Sequence, residues 1–170
     1  MALVRGLAAL GILLLAVVLQ VAVFGYVAVD GVVPDLALLV VVAAALSRGP
    51  QFAAVLGFVG GLLLDVAPPA DHGAGRWALA FVVVGYLAGR VRQDARDSTL
   101  GALATVAACS FVGTSVYALT GLVLGDGALP AGEMLRVVGI SVLWDVLVAP
   151  LALPALLMAF RRLRPPQLVY

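Results

Sequence analysis

Three acidic residues in apolar surroundings are the strongest candidates for chemistry in this chain. Asp35, Asp65 and Asp145 each lie within or at the edge of a long apolar stretch. A carboxylate in such a setting is costly unless it faces protein, water or a cation, and such groups often serve proton or substrate pathways. Asp35 and Asp65 fall near the ends of their stretches, where Arg76 or Arg136 can pair with them. The sequence therefore favours structural pairing for those two and leaves Asp145, which lies deeper, as the main intramembrane candidate.

A metal-dependent transfer of a phosphate-containing group is the first enzyme reaction to consider. Residues 71–76, Asp-His-Gly-Ala-Gly-Arg, followed by Gly85, are faintly similar to the motif of CDP-alcohol phosphotransferases. Gly89 occupies the position where the next aspartate is needed, and metal-bound diphosphate chemistry requires several carboxylates. His72 is a lone histidine beside one aspartate, which does not make a metal site. The sequence predicts neither a metal nor a cofactor.

Proteolysis and nucleophilic catalysis lack their residues as well. An intramembrane aspartyl protease needs a Gly-x-Gly-Asp context, whereas Asp65 follows three leucines and Asp145 follows a tryptophan. Cys109 lies in an apolar stretch without a nearby base, and a single cysteine forms no disulfide framework. The sequence therefore predicts a protein that is not an enzyme.

The elements that must position these residues are membrane spans. The chain is 64% hydrophobic and 11% charged, with a mean hydropathy of +1.19, whereas soluble domains are roughly 45–50% apolar and 25% charged. Backbone groups in lipid must pair internally, and the stretches lack the alternation of barrel strands, so helices are predicted. The basic residues are dispersed and the net charge is +1, which argues against nucleic-acid binding. We expect an all-α, polytopic membrane protein with a single domain over residues 1–170.

Glycine, proline and arginine breaks divide the chain into about six spans. Their predicted limits are residues 6–29, 32–47, 51–68, 77–89, 100–125 and 134–160. A helix needs about 20 residues to cross a hydrocarbon core of about 30 Å, so the second and fourth spans are short. Spans two and three form a re-entrant hairpin in the alternative arrangement. That hairpin would bury Arg48 at a cost of about 2.5–3.5 kcal/mol.

The arginines predict the orientation of the bundle. If the N-terminus is cytoplasmic, eight of the ten arginines lie inside and only Arg76 and Arg136 lie outside. This distribution follows the positive-inside rule, so both termini are predicted to be cytoplasmic. Arg161, Arg162 and Arg164 would anchor the last span at anionic head groups, each contributing about 1 kcal/mol near the surface.

Small residues repeat at the spacing of helix-packing faces. The third span has a small residue every four positions from Ala53 to Asp65, and the fifth span has a similar row. The candidate packing residues are Gly57, Gly61, Asp65, Gly85, Gly89, Gly101 and Gly113. Small residues let helices approach closely in lipid, either within the bundle or against a partner. Gln20 in the first span is predicted to form an interhelical hydrogen bond.

Four short motifs are distributed over nearly the full length of the chain. Pro34-Asp35-Leu36 opens the second span, residues 57–65 precede a proline-rich turn, Gly85-Tyr86 lies in the fourth span, and prolines precede a basic tail in the last. A six-span protein with this arrangement resembles the MreD family of bacterial rod shape-determining proteins.

The resemblance implies a non-enzymatic scaffold in the bacterial plasma membrane. Members of the family belong to the cell-elongation machinery that builds lateral peptidoglycan. The implied partners are the bitopic protein MreC and, through the complex, RodA, a class B penicillin-binding protein and MreB. We expect the glycine-lined faces of spans three and five to receive a partner helix.

A subunit of a small-molecule importer is the alternative. MreD proteins resemble in architecture the substrate-binding subunits of energy-coupling-factor transporters. That resemblance implies a cavity between the outer ends of the spans. Its lining would be Asp35, Asp65, Arg76, Trp77 and Trp144.

Overall fold

The computed structural model describes residues 2–68, 73–96, 98–125 and 130–163, and over these ranges it confirms the all-α fold. The helices are α1 (Ala2–Ala22), α2 (Leu36–Arg48), α3 (Pro50–Val66), α4 (Arg76–Arg90), α5 (Arg92–Arg96), α6 (Thr99–Leu124) and α7 (Ala131–Arg162). Three of them, α1, α6 and α7, are long and apolar enough to cross a membrane, whereas α2 and α3 are apolar but shorter.

A tight reversal of the chain follows α1, which ends earlier than the first predicted span. A 3-10 turn, Phe24–Val27, comes after it. Val29 and Val32 then exchange backbone hydrogen bonds of 3.0 and 2.9 Å. Asp30 and Gly31 between them have φ angles of 52° and 77°, values that suit the aspartate-glycine pair of a two-residue hairpin. The reversal returns the chain toward α1 before α2 begins.

Helix α2 is the centre of the bundle. Every residue from Ala37 to Ser47 is buried, and α1, α3, α4, α6 and α7 all contact the helix. A helix that is apolar on all sides belongs in a core. Its 13 residues extend about 20 Å, less than a hydrocarbon core of about 30 Å. The N-terminus of α2 therefore lies within the depth of the bundle.

Arginine side chains gather at the end of the bundle where α2 turns into α3. The Arg48 guanidinium carbon lies 3.9 Å from the centre of the Phe52 ring, and Arg5 is within electrostatic reach of Arg48. An Arg92 nitrogen lies 2.9 Å from where a Cβ atom on Gly49 would be. The α2–α3 turn therefore reaches the arginine-rich end of the bundle.

Candidate functional site

Asp145 lies at a buried junction of α2, α6 and α7, and its side chain is 1% exposed. Its Oδ1 atom accepts a hydrogen bond of 2.7 Å from the backbone N–H of Asp35. Its Oδ2 atom accepts one of 2.6 Å from the hydroxyl of Ser110, which is also buried. Both oxygens of the deepest carboxylate thus connect α7 to other helices.

The N-cap residue of α2 and side chains from α1 and α7 accept hydrogen bonds from the backbone N–H groups at the start of α2. Asp35 is the N-cap residue, and its carboxylate accepts from the backbone N–H of Leu38 at 3.0 Å. The Oε1 atom of Gln20 on α1 accepts from the N–H of Ala37 at 3.1 Å, which confirms the predicted interhelical hydrogen bond. The first N–H groups of a helix have no partner within it and carry partial positive charge, so they stabilise nearby carboxylates. We call Gln20, Asp35, Ser110 and Asp145 the polar junction.

Sequence reasoning missed Ser110 and the site that it helps to form. The available signal was a hydroxyl inside an apolar span, because such groups often form hydrogen bonds between membrane helices. Asp35 and Asp145 are 110 positions apart in the chain, so spacing alone does not bring them together.

Asp65 caps a different helix from the one that carries it. Its carboxylate accepts from the backbone N–H groups of Gly75, Trp77 and Ala78 at 2.8, 3.0 and 3.2 Å. Gly75 is the N-cap residue of α4 and has no side chain to bond these groups. Asp65 supplies the missing cap and joins the end of α3 to the start of α4.

Arg76 and Trp77 attach the start of α4 to α6. Arg76 donates a hydrogen bond of 2.8 Å to the carbonyl of Tyr117, and its guanidinium carbon lies 4.0 Å from the centre of that ring. The Trp77 ring stacks on Tyr117 with a centroid distance of 4.3 Å. Gly121 leaves the space that the Arg76 guanidinium fills.

Arg76 or Arg136 was predicted to pair with Asp35 and Asp65, and the structure shows that Arg136 does not pair with Asp35. Arg136 instead forms an ion pair of 2.6 Å with Asp30, at a partly exposed position. Asp145, which is level with Asp35, lies nine residues beyond Arg136, or about 13 Å along the helix axis. Arg136 is therefore too far along α7 to reach Asp35, whose carboxylate caps α2 instead.

The glycines of α3 and α4 face each other. Gly57 and Gly61 lie against the backbone of α4, while Gly85 and Gly89 lie against the backbone of α3. A Cβ atom on any of the four would overlap backbone atoms of the other helix. The close approach of these two helices uses the whole row, so a partner helix has no access to it.

In α6, the candidate packing residue Gly113 faces the bundle, although its row was expected to receive a partner helix. A Cβ atom on Gly113 would lie 3.2 Å from Val84 and 3.5 Å from Leu38. Gly101 is partly buried in the first turn of α6, where its N–H donates to the Ser98 hydroxyl at 2.8 Å. Gly113 therefore packs within the bundle, whereas Thr105 and Cys109 of the same row line an open groove beside α4.

An apolar groove between α4 and α6 remains open. Its volume is about 430 Å³, and we call it the α4–α6 groove. Its walls include Leu87, Ala88, Val91, Ala104, Ala108 and Val112. Small alanines on both helices leave room for close approach by another helix.

Several predicted residues take no part in the polar junction. Asp71, His72 and Arg164 lie outside the described residues. Arg161 and Arg162 end α7, and both are exposed. Within the parts of the chain that the structure describes, no cluster of three histidine, cysteine, aspartate or glutamate residues is placed to hold a metal.

The fold and the capping acids define a polytopic helical membrane protein whose buried polar groups hold helices together. A model of the family described as rod shape-determining protein MreD matches residues 2–157. The chain belongs to the MreD family, which confirms the resemblance seen in its motifs. Neither the comparison with curated proteins nor the comparison with solved structures gave a match. Membership implies a role in determining rod shape, in a family of structural components rather than a known family of enzymes.

Proposed function

We propose that this protein is a non-enzymatic scaffold that binds MreC and helps to organise lateral peptidoglycan synthesis. RodA, a class B penicillin-binding protein and MreB join it through the complex. The protein is a multi-pass component of the plasma membrane, and both of its termini face the cytoplasm.

The hydrogen bonds accepted by the buried aspartates are the observation that supports this proposal. Asp35, Asp65 and Asp145 all accept hydrogen bonds that fix the start of a helix or join two helices. A carboxylate whose oxygens hold backbone N–H groups stabilises the fold. In a member of a shape-determining family, such a rigid bundle fits the role of a platform for partner helices.

The α4–α6 groove is the surface that we assign to the MreC helix. Apart from Arg90 and Thr105 its lining is apolar, and it has alanines where two helices would meet. Membrane helices associate through close packing of such small residues. A bitopic partner supplies one helix, and the groove accepts one.

Co-purification with MreC tests this assignment. Ala108→Trp fills the groove and is expected to reduce the MreC recovered with the protein about fivefold. This reduction corresponds to a loss of about 1 kcal/mol of binding free energy from the lost helix contact. Membrane insertion of the variant should stay intact. Leu151→Trp is the matched control, because Leu151 on α7 is 84% exposed and does not line the groove. Equal MreC recovery for both variants would contradict the assignment.

The importer alternative finds less support in the geometry. Asp35 and Asp65 cap the starts of two different helices, and Arg76 and Trp77 pack on Tyr117. These groups therefore serve separate contacts between helices.

A further inference from the structure

A second cleft opens between α6 and the C-terminal half of α7. Its volume is about 460 Å³, within the roughly 300–1,000 Å³ range of small-molecule sites. Ser47, Ser98, Thr99 and Arg161 provide its polar residues. The remaining lining is apolar and extends along α7 to Pro150, about 16 Å from Arg161 along the helix axis. We call this the α6–α7 cleft.

The polar residues of the cleft belong to the arginine-rich end of the bundle. Ser47 precedes Arg48 at the end of α2, and Arg161 lies in the last turn of α7. By sequence, eight arginines fall at this end, against the two aspartates Asp94 and Asp97. The electrostatic field there favours an anion, and basic pockets between membrane helices bind the head groups of anionic lipids.

We propose that the α6–α7 cleft binds one molecule of an anionic phospholipid. The lipid phosphate contacts Arg161 and the neighbouring hydroxyls, and an acyl chain lies along the apolar wall toward Pro150. This gradient from a charged end to an apolar end matches the polarity of a phospholipid. The inference does not depend on the proposed function.

The polar lining of the cleft favours a lipid over a partner helix. Ser47 on α2, Ser98 and Thr99 at the start of α6, and Arg161 on α7 are all hydrogen-bond donors at one end of the cleft. A phosphate can accept from several such donors at once, whereas the apolar side chains of a membrane helix cannot.

The arginines at the end of α7 separate a defined site from general attraction to the bilayer. Arg161 lines the cleft, and its neighbour Arg162 is exposed and does not line it. A membrane anchor would use both arginines equally. Of these two arginines, a site in the cleft uses only Arg161.

Native mass spectrometry of the full-length protein in mild detergent provides the test. The probes are dioleoyl phosphatidylglycerol, which is anionic, and dioleoyl phosphatidylcholine, which has the same acyl chains and no net charge. The wild type is expected to retain one phosphatidylglycerol in preference to phosphatidylcholine. Arg161→Gln should lower that retention about fivefold, the effect of one basic residue near an anionic surface, and Arg162→Gln should change it less than about twofold.

A second pair of variants tests the apolar wall. Ala102 lines the α6–α7 cleft, and Ala104 on the same helix lines the α4–α6 groove instead. Ala102→Phe should therefore remove phosphatidylglycerol retention, while Ala104→Phe should preserve it. In the MreC co-purification assay the effects of the two variants should be reversed, so a failure of either proposal can be recognised separately.

Three results would overturn the lipid site. They are equal losses for Arg161→Gln and Arg162→Gln, equal retention of the two lipids by the wild type, and unchanged retention by Ala102→Phe in a folded protein. A photo-crosslinker at Met158, which lines the cleft, adds a test in native membranes. Crosslinks to lipid support the proposal, and crosslinks to a polypeptide instead of lipid contradict it.

Discussion

At the scale of single residues, Asp145 shows how a carboxylate is accommodated in an apolar bundle. The backbone N–H of Asp35 and the hydroxyl of Ser110 both donate to it. A buried acceptor that loses its donor costs about 1–3 kcal/mol, and interhelical hydrogen bonds in membranes average about 0.6 kcal/mol. The polar junction therefore stabilises one arrangement of α2, α6 and α7.

Substitutions at the polar junction should destabilise the protein in a fixed order. Asp145→Ala removes the acceptor for two donors and leaves the buried N–H of Asp35 without its partner. We expect it to lower the free energy of unfolding by about 2–3 kcal/mol, and Asp145→Asn and Ser110→Ala by about 1 kcal/mol each. Titration of the purified protein with SDS measures these differences. A stability of Asp145→Ala equal to that of the wild type would disprove a structural role.

Sequence alone predicted part of this junction. The cost of charge in lipid identified Asp35 and Asp145, because that cost depends on residue type and on the apolar surroundings, both visible in the chain. The partners were not visible. Arg136 was one of two arginines predicted to be at the outer side with Asp35, but their pairing depends on the position of α7 along α2, which only the packed structure defines.

At the scale of helices, the contact between α3 and α4 depends on glycine. Gly60 and Gly61 are neighbours in α3 that meet different surroundings. A Cβ atom on Gly60 would lie 3.0 Å from the end of the flexible Leu13 side chain, whereas one on Gly61 would overlap the backbone of Ala78. A side chain can move aside, but a helix backbone moves only with the whole helix.

The same substitution at these two glycines should differ in its effect on stability. Gly61→Ala is expected to destabilise the protein by about 1–3 kcal/mol through overpacking. Gly60→Ala should be nearly neutral, because alanine favours the helix by about 1 kcal/mol and Leu13 can adjust. Unfolding in SDS compares the two variants directly. Equal stabilities would mean that α3 and α4 are not held at this separation.

The periodicity of small residues predicted this packing face better than it predicted its partner. The spacing of Gly57 and Gly61 is a local property of a helix, so it can be derived from the sequence. Which helix covers the row depends on the tertiary fold. The sequence favoured contact within the bundle over contact with a partner protein, but it did not identify the helix that covers the row.

At the scale of the whole molecule, the positions of the arginines and the packing of the helices both indicate a bundle with one arginine-rich end. Arg5, Arg48 and Arg92 come from separate segments and meet near the α2–α3 turn, as expected from their common side in the predicted topology. The Asp30–Arg136 pair joins the loop after α1 to the start of α7. If the positive-inside rule orients the bundle, the arginine cluster faces the cytoplasm.

Cysteine labelling tests that orientation with little background, because the native Cys109 is buried in α6. Tyr26 lies in the turn after α1 and is 91% exposed, and Gln93 lies in α5 beside Arg92 and is also exposed. A membrane-impermeant maleimide should label Tyr26→Cys in intact spheroplasts and Gln93→Cys only after permeabilisation. The unsubstituted protein is the control and should stay unlabelled, because a buried thiol is unreactive. Labelling of Gln93→Cys from outside would reverse the topology and move the arginine-rich end, with the α6–α7 cleft, to the outer leaflet.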